Sequence, residues 1–216
     1  MIEGLFIVIE GVDGAGTTTQ TRMLTEALGA RGLPVHPTRE PSDGPLGMML
    51  RQILSNRIVV PGFHGSRPPS WSTMALLFAA DRQDHLEAEI MPNLMDGVTV
   101  VCDRYYYSSV GYQSLSAGGA PETIAWVKEM NRHARRPDLT IVLDLPAAIA
   151  ASRRAGRSGS AELYEGDELQ EKLAVFYREV DAHFPDDEIV HVDSEQELEA
   201  VAAEIMLHVR RVRGES

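Results

Sequence analysis

Leu5-Phe6-Ile7-Val8-Ile9 is an unbroken apolar run of strand length, and it leads straight into Gly11-Val12-Asp13-Gly14-Ala15-Gly16-Thr17-Thr18. A strand without polar alternation is buried on both faces, which points to a parallel sheet covered by helices. Downstream, Met23, Leu24, Ala27 and Leu28 recur at helical spacing until Gly29 and Gly32 stop the helix. Strand, glycine loop and helix in that order aim the unpaired N–H groups and positive dipole end of a helix at an anion. Residues 11–18 match the phosphate-cradling pattern G-x-x-x-x-G-K-[ST] at every defining position except the lysine, where Thr17 stands. The loop backbone and the Thr18 hydroxyl can still hold phosphates and magnesium, but the ammonium that bridges the β- and γ-phosphates is missing.

The rest of the chain continues the alternation. Strands are expected at Leu5–Glu10, Pro34–Thr38, Val98–Asp103, Leu139–Asp144 and Glu188–Asp193, with helical segments between them. Five strands with crossover helices predict an α/β fold with a doubly wound parallel sheet and ligands at the carboxyl ends of the strands. The chain's 216 residues suit one domain spanning 1–216. No apolar stretch approaches membrane-span length and the first residues lack a basic start, so a cytoplasmic protein without a membrane partner is expected. Cys102 is the only cysteine and falls in an apolar run, as a small buried hydrophobe would.

The formal net charge of −12 argues against a nucleic acid polymer as partner. Local positive charge is supplied almost wholly as arginine, since Lys128 and Lys172 are the only lysines. Arginine grips phosphate bidentately, which an ammonium cannot do. Near the C-terminus, Ser194 and Glu197 fit a capping box ahead of an amphipathic helix through Leu198, Val201, Ala202, Ile205 and Val209.

Several segments, in order, resemble the thymidylate kinase family. They are Phe6 to Gly16 with Thr18-Thr19-Gln20; Thr38-Arg39-Glu40-Pro41; Leu76-Leu77-Phe78-Ala79-Ala80-Asp81-Arg82; Asp103-Arg104-Tyr105 with Ser108-Ser109 and Tyr112-Gln113; and Arg136-Pro137-Asp138-Leu139-Thr140 leading to Leu143-Asp144. The resemblance implies a P-loop NTPase-type sheet of nucleoside monophosphate kinase architecture. It also implies transfer of the γ-phosphate of ATP to dTMP with Mg2+, and a homodimer.

By the same resemblance, Gly11, Val12, Asp13, Gly14, Ala15, Gly16, Thr17, Thr18 and Thr19 hold the ATP phosphates, and Thr18 with Asp103 serves the metal. Asp13, Glu40, Arg51, Phe78, Arg82, Arg104, Ser109, Tyr112 and Gln113 hold dTMP. Phe78 and Arg82 lie four apart, so a helix places an aromatic plane and a fork of donors on one face; core packing is the other reading of Phe78. Asp13 either accepts from the sugar hydroxyl or forms an Asx turn before Gly14. Arg39 either adds charge toward phosphate or pairs with Glu40.

The arginine- and glycine-rich segment at 152–165 reads as a lid. Gly14 stands where part of the family carries a loop arginine, so the chain resembles the members with the basic residue on the lid. Arg153 and Arg157 then join Asp13 and Arg104 as catalytic groups, with Arg154 left to solvent and Glu165 closing the site. Arginines at a phosphoryl-transfer centre are worth about 10³–10⁵ in rate, enough to offset the absent lysine. The rival reading is a nucleotide-binding pseudokinase; another acceptor is a third. The Pro/Gly-rich stretch 56–73 departs from the family, as either a loop over the acceptor pocket or a disordered excursion. Apolar positions in Met74–Leu94 serve either a dimer interface or the core.

Overall fold

The computed structural model describes residues 3–155, 163–164 and 166–215. In chain order the elements are β1 Phe6–Gly11, α1 Thr17–Ala30, β2 Val35–Arg39, α2 Pro45–Leu54, β3 Val60–Gly62, β4 Gly65–Arg67, α3 Trp71–His85, a π turn Leu86–Ile90, and α4 Met91–Met95. They continue with β5 Thr99–Asp103, α5 Tyr106–Ser116, α6 Pro121–Met130, β6 Leu139–Asp144, α7 Ala147–Ala155, α8 Asp167–Arg178, α9 Val180–His183, β7 Ile189–Asp193 and α10 Leu198–Val212. The main sheet runs β2-β5-β1-β6-β7, all parallel. Each expected strand is present within a residue at either end.

β1 is buried at all six positions, as its unbroken apolar run requires. It sits between β5 and β6, so the chain order reverses beside it and a crevice opens at its carboxyl end. Helices α1 and α10 pack against each other and the sheet, while α5 and α8 pack together against β1 and β6. Met74, Leu86, Ile90 and Leu94 are buried in the core; Leu76 and Met95 remain exposed.

Two local expectations are corrected. Ser194 does not cap α10: the helix starts at Leu198 with Glu197 as its N-cap and no side-chain cap. The Ser194 hydroxyl instead donates to the Ala15 carbonyl at 2.6 Å, because the loop's buried carbonyl needs a donor more than a helix end exposed to water does. Within 56–73, β3 and β4 form an antiparallel hairpin, with Phe63 in its turn almost fully exposed. Ser70 then caps α3 by accepting from the Thr73 N–H at 3.3 Å.

At the sheet edge, His191 lies between Asp144 at 2.9 Å and Asp181 at 2.7 Å. The hydrogen bond that His191 donates to Asp144, working against partial burial and helped by Asp181, lifts its pKa to about 9. The folded value exceeds the unfolded one of about 6.5, so this stabilisation is complete below the unfolded value and lost as pH rises through the folded one. Between pH 6.5 and 9.5 the thermal midpoint of the wild type is expected to fall more steeply than that of His191→Gln. Parallel midpoint curves would remove His191 as the cause.

Candidate active site

Gly14 and Gly16 make the phosphate loop possible. Both have positive φ, 102° and 99°, where a side chain is strained. A Cβ on Gly14 would also stand 2.8 Å from the Ala150 carbonyl of α7. The loop delivers Thr17, Thr18 and Thr19 into the first turns of α1, where no acidic residue competes for the free N–H groups. Thr17 is buried. The Thr18 hydroxyl, on an exposed residue, donates to Asp103 Oδ2 at 2.5 Å. Asp103 Oδ1 is buried with no partner among the described residues. That arrangement joins the two predicted metal residues between the start of α1 and the end of β5.

Beside the loop lies an open cleft of about 660 Å³ including its mouth. Asp13, Glu40, Phe78, Arg82, Arg104, Ser109, Tyr112 and Gln113 line it, together with Tyr105, Ser108 and Tyr164. The predicted acceptor residues are therefore gathered in one place, apart from Arg51. That guanidinium donates to the Pro41 and Ser42 carbonyls, each at 2.6 Å, and pairs with Asp43 at 3.2 Å. Phe78 belongs to both of its readings: it lines the cleft and packs on the small apolar cluster of Leu50, Ile53, Leu54 and Met74.

Arg82 is fully buried. Its Nη2 donates to Glu40 Oε2 at 2.5 Å and Ser109 Oγ at 3.0 Å, and its Nη1 donates to Asn131. Glu40 thus pairs with Arg82; Arg39 binds Asp43 at 2.8 Å on the surface. The reason is burial, since a carboxylate at the cleft floor needs a desolvated partner, which exposed Arg39 is not. His85, also buried, stands behind Glu40 at 3.5 Å. Burial lowers the His85 pKa, but the hydrogen bond and charge of Glu40, with Glu89 and Asp81, raise it overall.

Arg104 has φ 70°, a left-handed conformation that few side chains adopt. Its guanidinium donates to the Gly11 carbonyl at 2.9 Å, Ser108 Oγ at 3.2 Å and Asp13 Oδ1 at 2.6 Å. Asp13 Oδ2 accepts from Gln170 at 2.8 Å, and the Asp13 carbonyl accepts from Arg154 at 2.9 Å. Arg154 is accordingly not left to solvent. Arg153 donates to the Ser194 carbonyl at 2.9 Å, one residue removed from the loop through the Ser194–Ala15 bond. Arg157 and Glu165 lie outside the described residues.

Arg82 Nε, Tyr105 Oη, Tyr112 Oη and Gln113 Oε1 are buried without partners among the described residues, and all four residues line the cleft. Orphaned polar atoms concentrated in one cavity are what a polar ligand would satisfy. A family model described as thymidylate kinase matches residues 9–205. The chain belongs to the thymidylate kinase family. A probable thymidylate kinase of Pyrococcus horikoshii is 40% identical over 190 residues, 88% of this chain and 89% of that protein. The probable thymidylate kinase of Thermococcus kodakarensis is 36% identical over 98% of this chain and 100% of its own length. The thymidylate kinase of Ruegeria pomeroyi is 36% identical over 97% and 98%.

Against that thymidylate kinase frame, residue-by-residue reading missed Glu10, Asn131, Tyr164, Gln170 and Tyr177. Glu10 carries a usable signal, a carboxylate ending an otherwise apolar buried strand. Gln170 has none, because its partner Asp13 is 157 residues away.

Proposed function

We propose that this chain phosphorylates dTMP with ATP to give dTDP, as the names of its relatives indicate for them. The observation that carries this is the cleft of orphaned polar atoms sharing Asp13 with the phosphate loop. The donor phosphates lie on the loop N–H groups of residues 11–18 and the α1 N-terminus. Thr18 and Asp103 fit Mg2+, which takes one or two carboxylates plus phosphates and water; among the described residues no cluster of three or more acidic, His or Cys ligands exists. Held there, Mg2+ would supply neutralising charge for the transferring phosphate. Phe78 stacks on the thymine, Arg82 and Gln113 meet its polar edge, and Ser109 fixes Arg82. Asp13 accepts the sugar hydroxyl, with Tyr112 against the deoxyribose. Glu40 holds Arg82 in place, while Arg51 and Arg104 serve the acceptor phosphate.

Arg153 and Arg157 supply the charge that Thr17 cannot. The same reading takes residues 1–216 as one domain, a cytoplasmic homodimer through apolar positions in Met74–Leu94, where Leu76 is exposed. Among the described residues no helix is long and apolar enough to cross a membrane.

ADP formation from MgATP and dTMP tests this. Wild-type turnover is expected, with Arg153→Ala lowering it by about 10²–10³ and Thr17→Lys changing it little. The buried threonine favours one rival, a pseudokinase. Turnover that appears only in Thr17→Lys would establish that rival.

A further inference from the structure

We infer that Glu10 is a positioning residue for Arg104, holding the turn and the guanidinium that face the acceptor phosphate. Glu10 is fully buried at the carboxyl end of β1. Its Oε1 accepts the backbone N–H of Tyr105 at 2.7 Å and of Ser108 at 3.2 Å. Its Oε2 accepts the Ser108 hydroxyl at 2.7 Å and the Tyr177 hydroxyl at 2.9 Å. Four donors converge on one side chain, and three of them come from the residues that follow Arg104.

That convergence answers a local problem. Arg104 occupies the left-handed region, which a residue with a Cβ leaves unless its surroundings over-determine it. The Arg104 N–H donates to the Ile9 carbonyl at 2.9 Å, and the Cys102 thiol donates to the Arg104 carbonyl at 3.0 Å. Those two bonds hold Arg104 itself; Glu10 holds the next peptide and the first turn of α5. Ser108 Oγ completes the link, donating to Glu10 while accepting from Arg104 Nη1. A relay of two hydrogen bonds therefore runs from Glu10 to the guanidinium. Glu10 does not line the cleft, so it acts through Arg104 and not on a ligand.

The chemistry favours a carboxylate. A protonated acid would have to turn its own O–H toward groups that are themselves donating, whereas an ionised one accepts from all four. Burial leaves the Glu10 pKa raised overall, and the nearby Arg104 charge with these hydrogen bonds offsets part of the rise. Glutamine preserves shape while replacing one acceptor by a donor, so Glu10→Gln misplaces Ser108 or Tyr177 without emptying the site.

This inference rests on the role proposed for Arg104, and its test separates the two. Steady-state kinetics with MgATP and dTMP would be measured for wild type, Glu10→Gln, Arg104→Lys and the double variant, with thermal midpoints alongside. Glu10→Gln is expected to lower kcat/KM for dTMP about 10–100-fold, the usual cost of removing outer support from a reactive group, with KM for ATP unchanged. In the Arg104→Lys background the same change is expected to cost much less. Tyr177→Phe, which removes one donor and keeps Glu10, is expected to move kcat/KM in the same direction by less. Wild-type kinetics in Arg104→Lys would count against the role of Arg104 itself. An impaired Arg104→Lys on which Glu10→Gln acts with its full factor would overturn the positioning role alone. Should Glu10→Gln fail to fold, an unchanged Tyr177→Phe would overturn it too.

Discussion

Arg104→Ala is expected to lower kcat/KM for dTMP by about 10³-fold or more, within the range that arginines contribute to phosphoryl transfer. The guanidinium is fixed by three acceptors, the Gly11 carbonyl, Ser108 and Asp13. Its orientation is therefore set before substrate arrives, and preorganised charge is worth most where charge develops. Alanine removes the cation and also leaves the Asp13 carboxylate, among the described residues, with Gln170 as its remaining side-chain donor. A carboxylate next to phosphates without its cation repels them, so dTMP affinity is expected to fall as well as turnover. Loss within tenfold, in protein with a wild-type thermal midpoint, would show that another group carries the acceptor phosphate.

Arg82→Ala should be the most destabilising substitution in the cleft, by about 3–5 kcal/mol, because it strands the buried Glu40 carboxylate without its cation. Arg82 and Glu40 have side chains only 2% and 3% exposed and stand 2.5 Å apart. Asn131 and Ser109 would lose a partner in the same step. Equilibrium urea unfolding checks the magnitude, and Glu40→Gln added to Arg82→Ala should restore part of the loss by removing the stranded charge. A cost below about 1 kcal/mol would mean the pair behaves as a solvated surface contact. Affinity for dTMP should fall in Arg82→Ala even under conditions where it is fully folded, since the base loses the guanidinium's donors.

Much of this protein is legible from contiguous residues. The apolar run ahead of the glycine loop marked β1 as a strand buried on both faces, and the four-residue spacing of Phe78 and Arg82 brought both side chains to one cleft. The family resemblance named most of the cleft lining before any fold was known. Local patterns misled where a side chain had a better partner elsewhere. Ser194 had the spacing of a helix cap, yet its hydroxyl serves the phosphate loop. Arg39 adjoined Glu40 in sequence, yet the pair that formed is with Arg82, because both of those groups are desolvated. In the 56–73 stretch, turn-forming residues outweighed strand signal, although they mark the hairpin's bend.

Periodicity and loop spacing express interactions among neighbouring residues, and these the sequence determined alone: strand order along the chain, the phosphate loop, the helical face of Phe78 and Arg82. The tertiary structure decided which donors meet which acceptors. Asp13 is joined to Arg104 across 91 residues and to Gln170 across 157, and Glu10 to Tyr177 across 167. Such pairs are chosen by which polar groups folding removes from water together, since a buried group must find its partner there or lose one. No window of sequence contains that choice.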